Sequence, residues 1–109
     1  MDKEKTKEVS FQEAVSMAET GSSRMVWLGR EPVEYIRGLL NLPEDKMEAL
    51  EPSGIMSMDK KTAQRYDNCI MVCYHGNTSR RVAELLSERF GVESFNLKGG
   101  ITAIVGEIF

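Results

Sequence analysis

The residue with the clearest chemical potential in this sequence is a cysteine at the end of an apolar run. Cys73 follows the apolar residues 69–72 and precedes a short polar loop, after which an amphipathic segment runs from about residue 78 to residue 90. This pattern predicts a buried strand, a tight loop and a helix. Unpaired N–H groups at a helix N-terminus stabilise an anion or a thiolate. The stretch therefore indicates a nucleophilic thiolate, although a free cysteine is often only a buried structural thiol.

The loop after Cys73 has the composition of an anion-binding nest. Gly76 allows the backbone to turn without steric penalty, and small polar side chains can hydrogen-bond the loop backbone or a bound anion. The predicted binding loop consists of Tyr74, His75, Gly76, Asn77, Thr78 and Ser79. We expect the backbone amide of His75 to matter more than its ring, which is placed at the mouth of the loop.

Two arginines follow the loop directly. Arg80 and Arg81 add positive charge at the same mouth. Their sequence position leaves two roles open: they steer an anionic substrate toward Cys73, or they are solvated charges on the helix surface.

Two reaction classes fit a thiolate in such a loop, attack on a phosphate and attack on a sulfane sulfur that the cysteine stores as a persulfide. Cysteine-dependent phosphatases resemble one another in having Cys, five residues and then Arg, whose guanidinium forks onto the phosphate oxygens. Six positions after Cys73 this chain has Ser79, and arginine first appears at Arg80. The spacing favours sulfur chemistry over a phosphatase or an arsenate-reductase-like enzyme.

Composition narrows the class of protein further. The chain has 109 residues, 41% of them hydrophobic, and a net charge of −3. These values are ordinary for one globular domain and do not favour nucleic acid as a partner.

No apolar run approaches the roughly 20 residues of a membrane span, and the N-terminus does not resemble a signal peptide. Because two cysteines do not make a disulfide framework, we expect a cytoplasmic protein.

The hydrophobic pattern predicts strands that alternate with helices. This alternation indicates an α/β domain with a mainly parallel central sheet of about five strands, flanked by helices, with its functional site beyond the carboxyl ends of the strands. We expect a flexible tail over residues 1–8 and the domain over residues 9–109. The predicted strands lie near Val9 and over residues 25–28, 39–42, 69–73 and 92–97. Predicted helices begin at the caps Ser10 and Asp59, another has Pro32 in its first turn, and the last covers about residues 78–90. Residues 44–50 have the composition of a helical turn or two.

Residues 73–79 resemble the active-site loop of small single-domain thiosulfate sulfurtransferases of the rhodanese-like family. Residues 96–101, Asn-Leu-Lys-Gly-Gly-Ile, are similar to that family's closing Leu-x-Gly-Gly segment. Residues 30–35 and 41–43 are similar to its Arg-Glu-Pro-x-Glu-Tyr and Asn-Leu-Pro stretches. The resemblance spans most of residues 10–104 and implies a single rhodanese-like domain.

The resemblance also implies a mechanism. Cys73 would take the outer sulfur of thiosulfate, a small sulfur-containing anion, or of a persulfide donor. The backbone amides of residues 74–79 would hold the persulfide, which would pass its sulfur to cyanide or to a thiol acceptor, either a small molecule or a protein. The resemblance implies no metal and no organic cofactor.

Three features depart from the family pattern. Leu28 stands where the family usually has Asp, the connection at residues 38–41 is about four residues shorter, and Ile104 stands where an aromatic residue is common. They motivate an alternative hypothesis, a catalytically weak or inactive rhodanese-fold module for binding or sulfur relay. Cys69 is expected to be a core thiol, since same-face residues four apart on a strand are about 13 Å apart, too far for a disulfide.

Overall fold

The computed structural model describes residues 7–21 and 23–106. Within them the chain forms a single five-stranded sheet in the order β1-β5-β4-β2-β3, and neighbouring strands pair in parallel. The strands are β1 (Lys7–Val9), β2 (Met25–Trp27), β3 (Met47–Ala49), β4 (Ile70–Val72) and β5 (Phe95–Leu97). The predicted α/β fold with a parallel sheet of about five strands is therefore confirmed.

Helices connect the strands, as parallel pairing requires. They are α1 (Phe11–Glu19), α2 (Val33–Leu40), α3 (Lys60–Ala63), α4 (Asn77–Phe90) and α5 (Thr102–Val105). Short 3₁₀ turns at Glu44–Lys46, Pro52–Ser57 and Gln64–Tyr66 complete the connections.

Two predicted helix caps are confirmed. At the start of α1, the Ser10 hydroxyl accepts a hydrogen bond from the Glu13 N–H at 3.1 Å, and the Glu13 carboxylate accepts one from the Ser10 N–H at 2.7 Å. These reciprocal bonds form a capping box. At the start of α3, Asp59 Oδ1 accepts from the Thr62 N–H at 2.8 Å, which lowers the pKa of Asp59.

The predicted strand over residues 39–42 is wrong. Helix α2 continues through Gly38 to Leu40 and ends at Asn41, whose left-handed φ of 57° closes the helix. Leu40 is buried on the same face as Ile36, four residues earlier, so the apolar residues serve a helix. The third strand lies at Met47–Ala49, inside a segment expected to be a helical turn.

The sheet carries a hydrophobic core on each face. Met71 and Cys73 pack with Leu86 of α4, whereas Ile70 packs with Ile36 of α2 on the opposite face. Successive strand residues point to opposite faces, and this alternation directs Cys73 toward α4.

Part of the segment expected to be a flexible tail lies in the sheet. Lys7 and Glu8, which fall within the expected tail, lie in β1 and pair with Phe95 and Asn96 of β5. Residues 1–6 of that tail and residues 107–109 of the expected domain lie outside the described residues. Among the residues that the structure describes, no helix is long and apolar enough to cross a membrane.

Candidate active site

Cys73 lies directly after β4, at the carboxyl edge of the sheet. Only 3% of the residue is exposed. Its carbonyl oxygen accepts a hydrogen bond from the Ile101 N–H at 3.0 Å, which fixes the backbone at the strand end. The side chain points toward the first turn of α4.

Two backbone N–H groups point at the sulfur. The Gly76 N–H lies 3.1 Å from Cys73 Sγ, and the Ser79 N–H lies 3.3 Å from it. These donors belong to the turn that starts a helix of 14 residues, where N–H groups lack intrahelical partners. The sulfur thus occupies the position in which a helix start stabilises negative charge.

Gly76 is required by the shape of this turn. Its φ of +94° is left-handed, and an added Cβ would lie 3.1 Å from the backbone nitrogen of Gly99. Gly100 is more constrained still, because a Cβ there would overlap the carbonyl oxygens of Cys73 and Tyr74. The Gly-Gly segment therefore packs backbone against backbone on the loop that holds the sulfur.

Ser79 is fully buried and connects the sulfur to a polar network. Its hydroxyl lies 3.2 Å from Cys73 Sγ and donates a hydrogen bond to Asn96 Oδ1. Asn96, also fully buried, donates from Nδ2 to Glu8 Oε2 at 3.2 Å. Sequence reasoning missed Asn96 and Glu8, although an asparagine between Phe95 and Leu97 in a buried strand was a signal.

Arg80 completes this network at the surface. Its Nε and Nη2 atoms donate to Glu8 Oε2 at 3.1 and 2.6 Å. The bond from Arg80 is the main reason that the pKa of Glu8 is lowered; burial opposes the shift and Asn96 adds to it. The same pair raises the pKa of Arg80.

Arg81 lies on the exposed side of α4 and contacts carboxylates of its own helix. Its Nη1 atom is 3.2 Å from Glu84 Oε1 and 3.9 Å from Glu88 Oε2. Both arginines therefore stand beside carboxylates, and anion steering by Arg80 and Arg81 stays a prediction.

Tyr74 and His75 form the rim of the loop. The Tyr74 ring packs edge-on against Trp27, with 5.2 Å between ring centroids. Its hydroxyl donates to Glu31 and accepts from the Arg30 N–H at 2.9 Å. Burial, followed by the bond to Glu31, raises the pKa of Tyr74. The His75 ring lies on the other side, with Nδ1 3.2 Å from Thr102 Oγ1.

A cleft opens beside the loop. It has a volume of about 780 Å³ and is lined in part by Tyr74, Thr78, Leu28 and Leu50. Thr78 and Asn77 are exposed at the start of α4, and the Thr78 side of the loop borders this opening. Leu28, which departs from the family pattern, makes part of the wall apolar. Among the described residues, no group of His, Cys, Asp and Glu side chains has an arrangement suited to a metal ion.

Comparison with solved structures finds proteins that share the fold of this chain. Among solved structures, a rhodanese-related protein from Thermoplasma volcanium is 19% identical, with 94% of each chain covered and a TM-score of 0.56. A protein from Staphylococcus saprophyticus subsp. saprophyticus is 17% identical, with 94% of this chain and 97% of that chain covered and a TM-score of 0.61. At these identities the likeness concerns the fold alone.

Sequence comparison gives the more specific result. A search among curated proteins finds no match. The family described as the Rhodanese-like domain matches residues 11–107, which is most of the chain. This chain therefore belongs to the rhodanese-like domain family.

Proposed function

We propose that this domain is a sulfurtransferase in which Cys73 carries sulfane sulfur as a persulfide. The observation that carries the proposal is the pair of backbone N–H groups, from Gly76 and Ser79, within 3.3 Å of Cys73 Sγ. Such donors stabilise a thiolate before the reaction and the negative charge of a persulfide after it. Rhodanese-like domains include sulfurtransferases, so the family supports this chemistry without fixing the substrate.

The first step loads sulfur onto the cysteine. The Cys73 thiolate attacks the outer sulfur of thiosulfate or of a persulfide donor, and a new S–S bond forms at Sγ. With thiosulfate, the donor's own S–S bond breaks and sulfite leaves with the electron pair. The transferred sulfur keeps its oxidation level, so the step needs no oxidant or reductant.

The second step unloads the sulfur. A cyanide ion or the thiolate of an acceptor attacks the outer sulfur of the Cys73 persulfide, and the S–S bond at Sγ breaks. The products are thiocyanate or a new persulfide on the acceptor, together with the Cys73 thiolate. The cleft beside Tyr74 and Thr78 is where we place the acceptor, either a small thiol or a protein thiol. We place this chemistry in a reducing cytoplasm, where two free cysteines persist.

Phosphate chemistry has less support. A phosphatase of this type needs a guanidinium beside the thiolate, whereas the residue that contacts Cys73 Sγ at the sixth position is Ser79. The guanidinium of Arg80, one residue later, is bonded to Glu8.

The experiment is a thiosulfate:cyanide sulfurtransferase assay on matched variants. We expect turnover in the wild type, turnover in Cys69→Ala, and a loss on the order of 10³-fold or more in Cys73→Ala, because the nucleophile is gone. Equal activity in Cys73→Ala and the wild type would overturn the proposal. A folded wild type that forms no persulfide with any sulfur donor would instead support the alternative, a binding or relay module that has lost catalysis.

A further inference from the structure

The buried network behind the cysteine has a defined order of hydrogen-bond donors. Arg80 keeps the Glu8 carboxylate ionised, and an ionised carboxylate only accepts hydrogen bonds. Asn96 must therefore turn its Nδ2 group toward Glu8, at 3.2 Å, and its Oδ1 atom toward Ser79. The Ser79 hydroxyl must then donate to Asn96.

This order determines what Ser79 offers to the sulfur. A hydroxyl has one proton, and that proton is engaged by Asn96 Oδ1. Ser79 Oγ, 3.2 Å from Cys73 Sγ, therefore faces the sulfur with a lone pair and accepts the thiol proton. A thiolate needs the opposite polarity, a donor. To supply it, the hydroxyl has to rotate, and the buried Asn96 Oδ1 then loses its partner, which is unfavourable.

We propose that Asn96 and Glu8 are positioning residues, which hold the Ser79 hydroxyl proton away from Cys73 and so couple ionisation of the thiol to rotation of that hydroxyl. The inference rests on the proposed function, since it describes how the same sulfur is controlled. While the Ser79 proton is engaged by Asn96, the hydroxyl offers the sulfur an acceptor and not a donor. The two backbone N–H groups then hold the sulfur in place until the hydroxyl turns toward it.

Other charged groups lie near this network. Glu8 faces the network from β1, Arg80 faces it from α4, and Lys98, which follows β5, acts on Glu8 by charge. His75 lies in the loop itself and contacts Thr102 Oγ1 through Nδ1. A substitution at Glu8 therefore changes both the local charge and the donor order, and the test must separate the two effects.

The test is a double-mutant cycle on the pH profile of Cys73 alkylation by iodoacetamide, followed by peptide mass spectrometry. Asn96→Leu keeps the side-chain volume but removes the acceptor that competes for the Ser79 proton. We expect its alkylation midpoint to fall by about one pH unit, the size of one hydrogen bond to a charged sulfur. Glu8→Gln should lower the midpoint in the same direction, because a glutamine no longer fixes the orientation of Asn96.

The Ser79→Ala background separates donor order from charge. Without the hydroxyl, Asn96→Leu should leave the alkylation midpoint unchanged. Glu8→Gln should then shift the midpoint only by the amount that comes from removing a charge. Equal shifts with and without the hydroxyl would overturn the inference. Circular dichroism of each variant confirms the fold, and a purely structural defect would not produce a shift that depends on Ser79.

The outcome is separable from that of the proposed function. If thiosulfate loads Cys73 but the cycle shows no coupling, the sulfurtransferase proposal stands and the positioning role is wrong. If the cycle shows coupling but no donor loads Cys73, the positioning role stands and the sulfurtransferase proposal is wrong.

Discussion

Cys69 and Cys73 flank the same strand and are equally buried, at 3% exposure each, yet the backbone groups beside their sulfur atoms have opposite polarity. Cys69 Sγ lies 3.7 Å from a carbonyl oxygen, that of Arg65, and burial raises the pKa of the Cys69 thiol. Cys73 Sγ receives N–H groups from Gly76 and Ser79. An acceptor favours the neutral thiol and a donor favours the anion. Burial alone therefore does not decide the chemistry of a cysteine, because the polarity of the adjoining backbone differs between these two equally buried sites.

Disrupting the turn at Gly76, which places the two N–H donors beside Cys73 Sγ, should have the largest effect on the difference between the two cysteines. Gly76→Ala places a side chain at a φ of +94° and 3.1 Å from the Gly99 nitrogen, so the loop must shift. We expect a loss of about 1–3 kcal/mol in the free energy of unfolding. Sulfurtransferase activity should fall by about a hundredfold or more, as when one donor to a developing anion is removed.

Gly54→Ala is the matched control, because a Cβ at that position meets nothing within 4 Å. Urea unfolding and the thiosulfate assay on both variants make the comparison. An active and fully stable Gly76→Ala protein would show that the left-handed turn is not needed to hold the sulfur.

A comparison of two buried serines tests the hydrogen bond between Ser79 and Asn96. Ser79→Ala removes the donor to Asn96 Oδ1, so a buried acceptor loses its partner and stability should fall by about 1–3 kcal/mol. Ser94→Ala should be close to neutral or slightly stabilising, because within the described part of the chain the Ser94 hydroxyl is buried and has no hydrogen-bond partner. Chemical denaturation of the two variants measures both values. Equal losses would mean that the Ser79 bond adds nothing beyond packing.

The smallest expected effect concerns acid stability at the surface end of the network. The pKa of Glu8 is lowered from 4.5, first by its bond to Arg80. A lowered folded-state pKa contributes stability that is present above about pH 4.5 and is lost as the pH falls through the folded-state value.

Thermal unfolding from pH 6 to pH 3 measures this contribution. The wild type should lose more stability over this range than Glu8→Gln, which has no carboxyl to titrate. Arg80→Met should also have a shallower dependence, because the cause of the shift is gone. A profile that is identical in all three proteins would contradict the assignment.

The sequence predicted the elements around Cys73 better than it predicted the polar network behind them. The strand, loop and helix around Cys73 followed from local patterns: an apolar run, a glycine at the turn and an amphipathic repeat. Asn96 and Glu8 lie 23 and 65 residues away from Cys73 along the chain, and β5 and β1 carry them to its vicinity through parallel pairing. No local sequence pattern predicts that Asn96 and Glu8 lie near Cys73.

The one misplaced strand has a related cause. Residues 39–42 are apolar enough for a strand, but Leu40 completes a helical face that begins at Ile36. Met47–Ala49 carries a charged residue at Glu48, so its strand character comes from pairing with β2 at the edge of the sheet and not from its own composition. Short edge strands of this kind are decided by tertiary contacts.

The most direct measurement of the central claim compares the two cysteines in one experiment. The native protein is exposed to thiosulfate, free persulfide is trapped by alkylation, and peptide mass spectrometry locates the added sulfur. We predict one extra sulfur atom on Cys73 and none on Cys69, with the same result at Cys73 in Cys69→Ala. Sulfur on Cys69, or no sulfur on Cys73 under conditions where the protein is folded, would contradict the account.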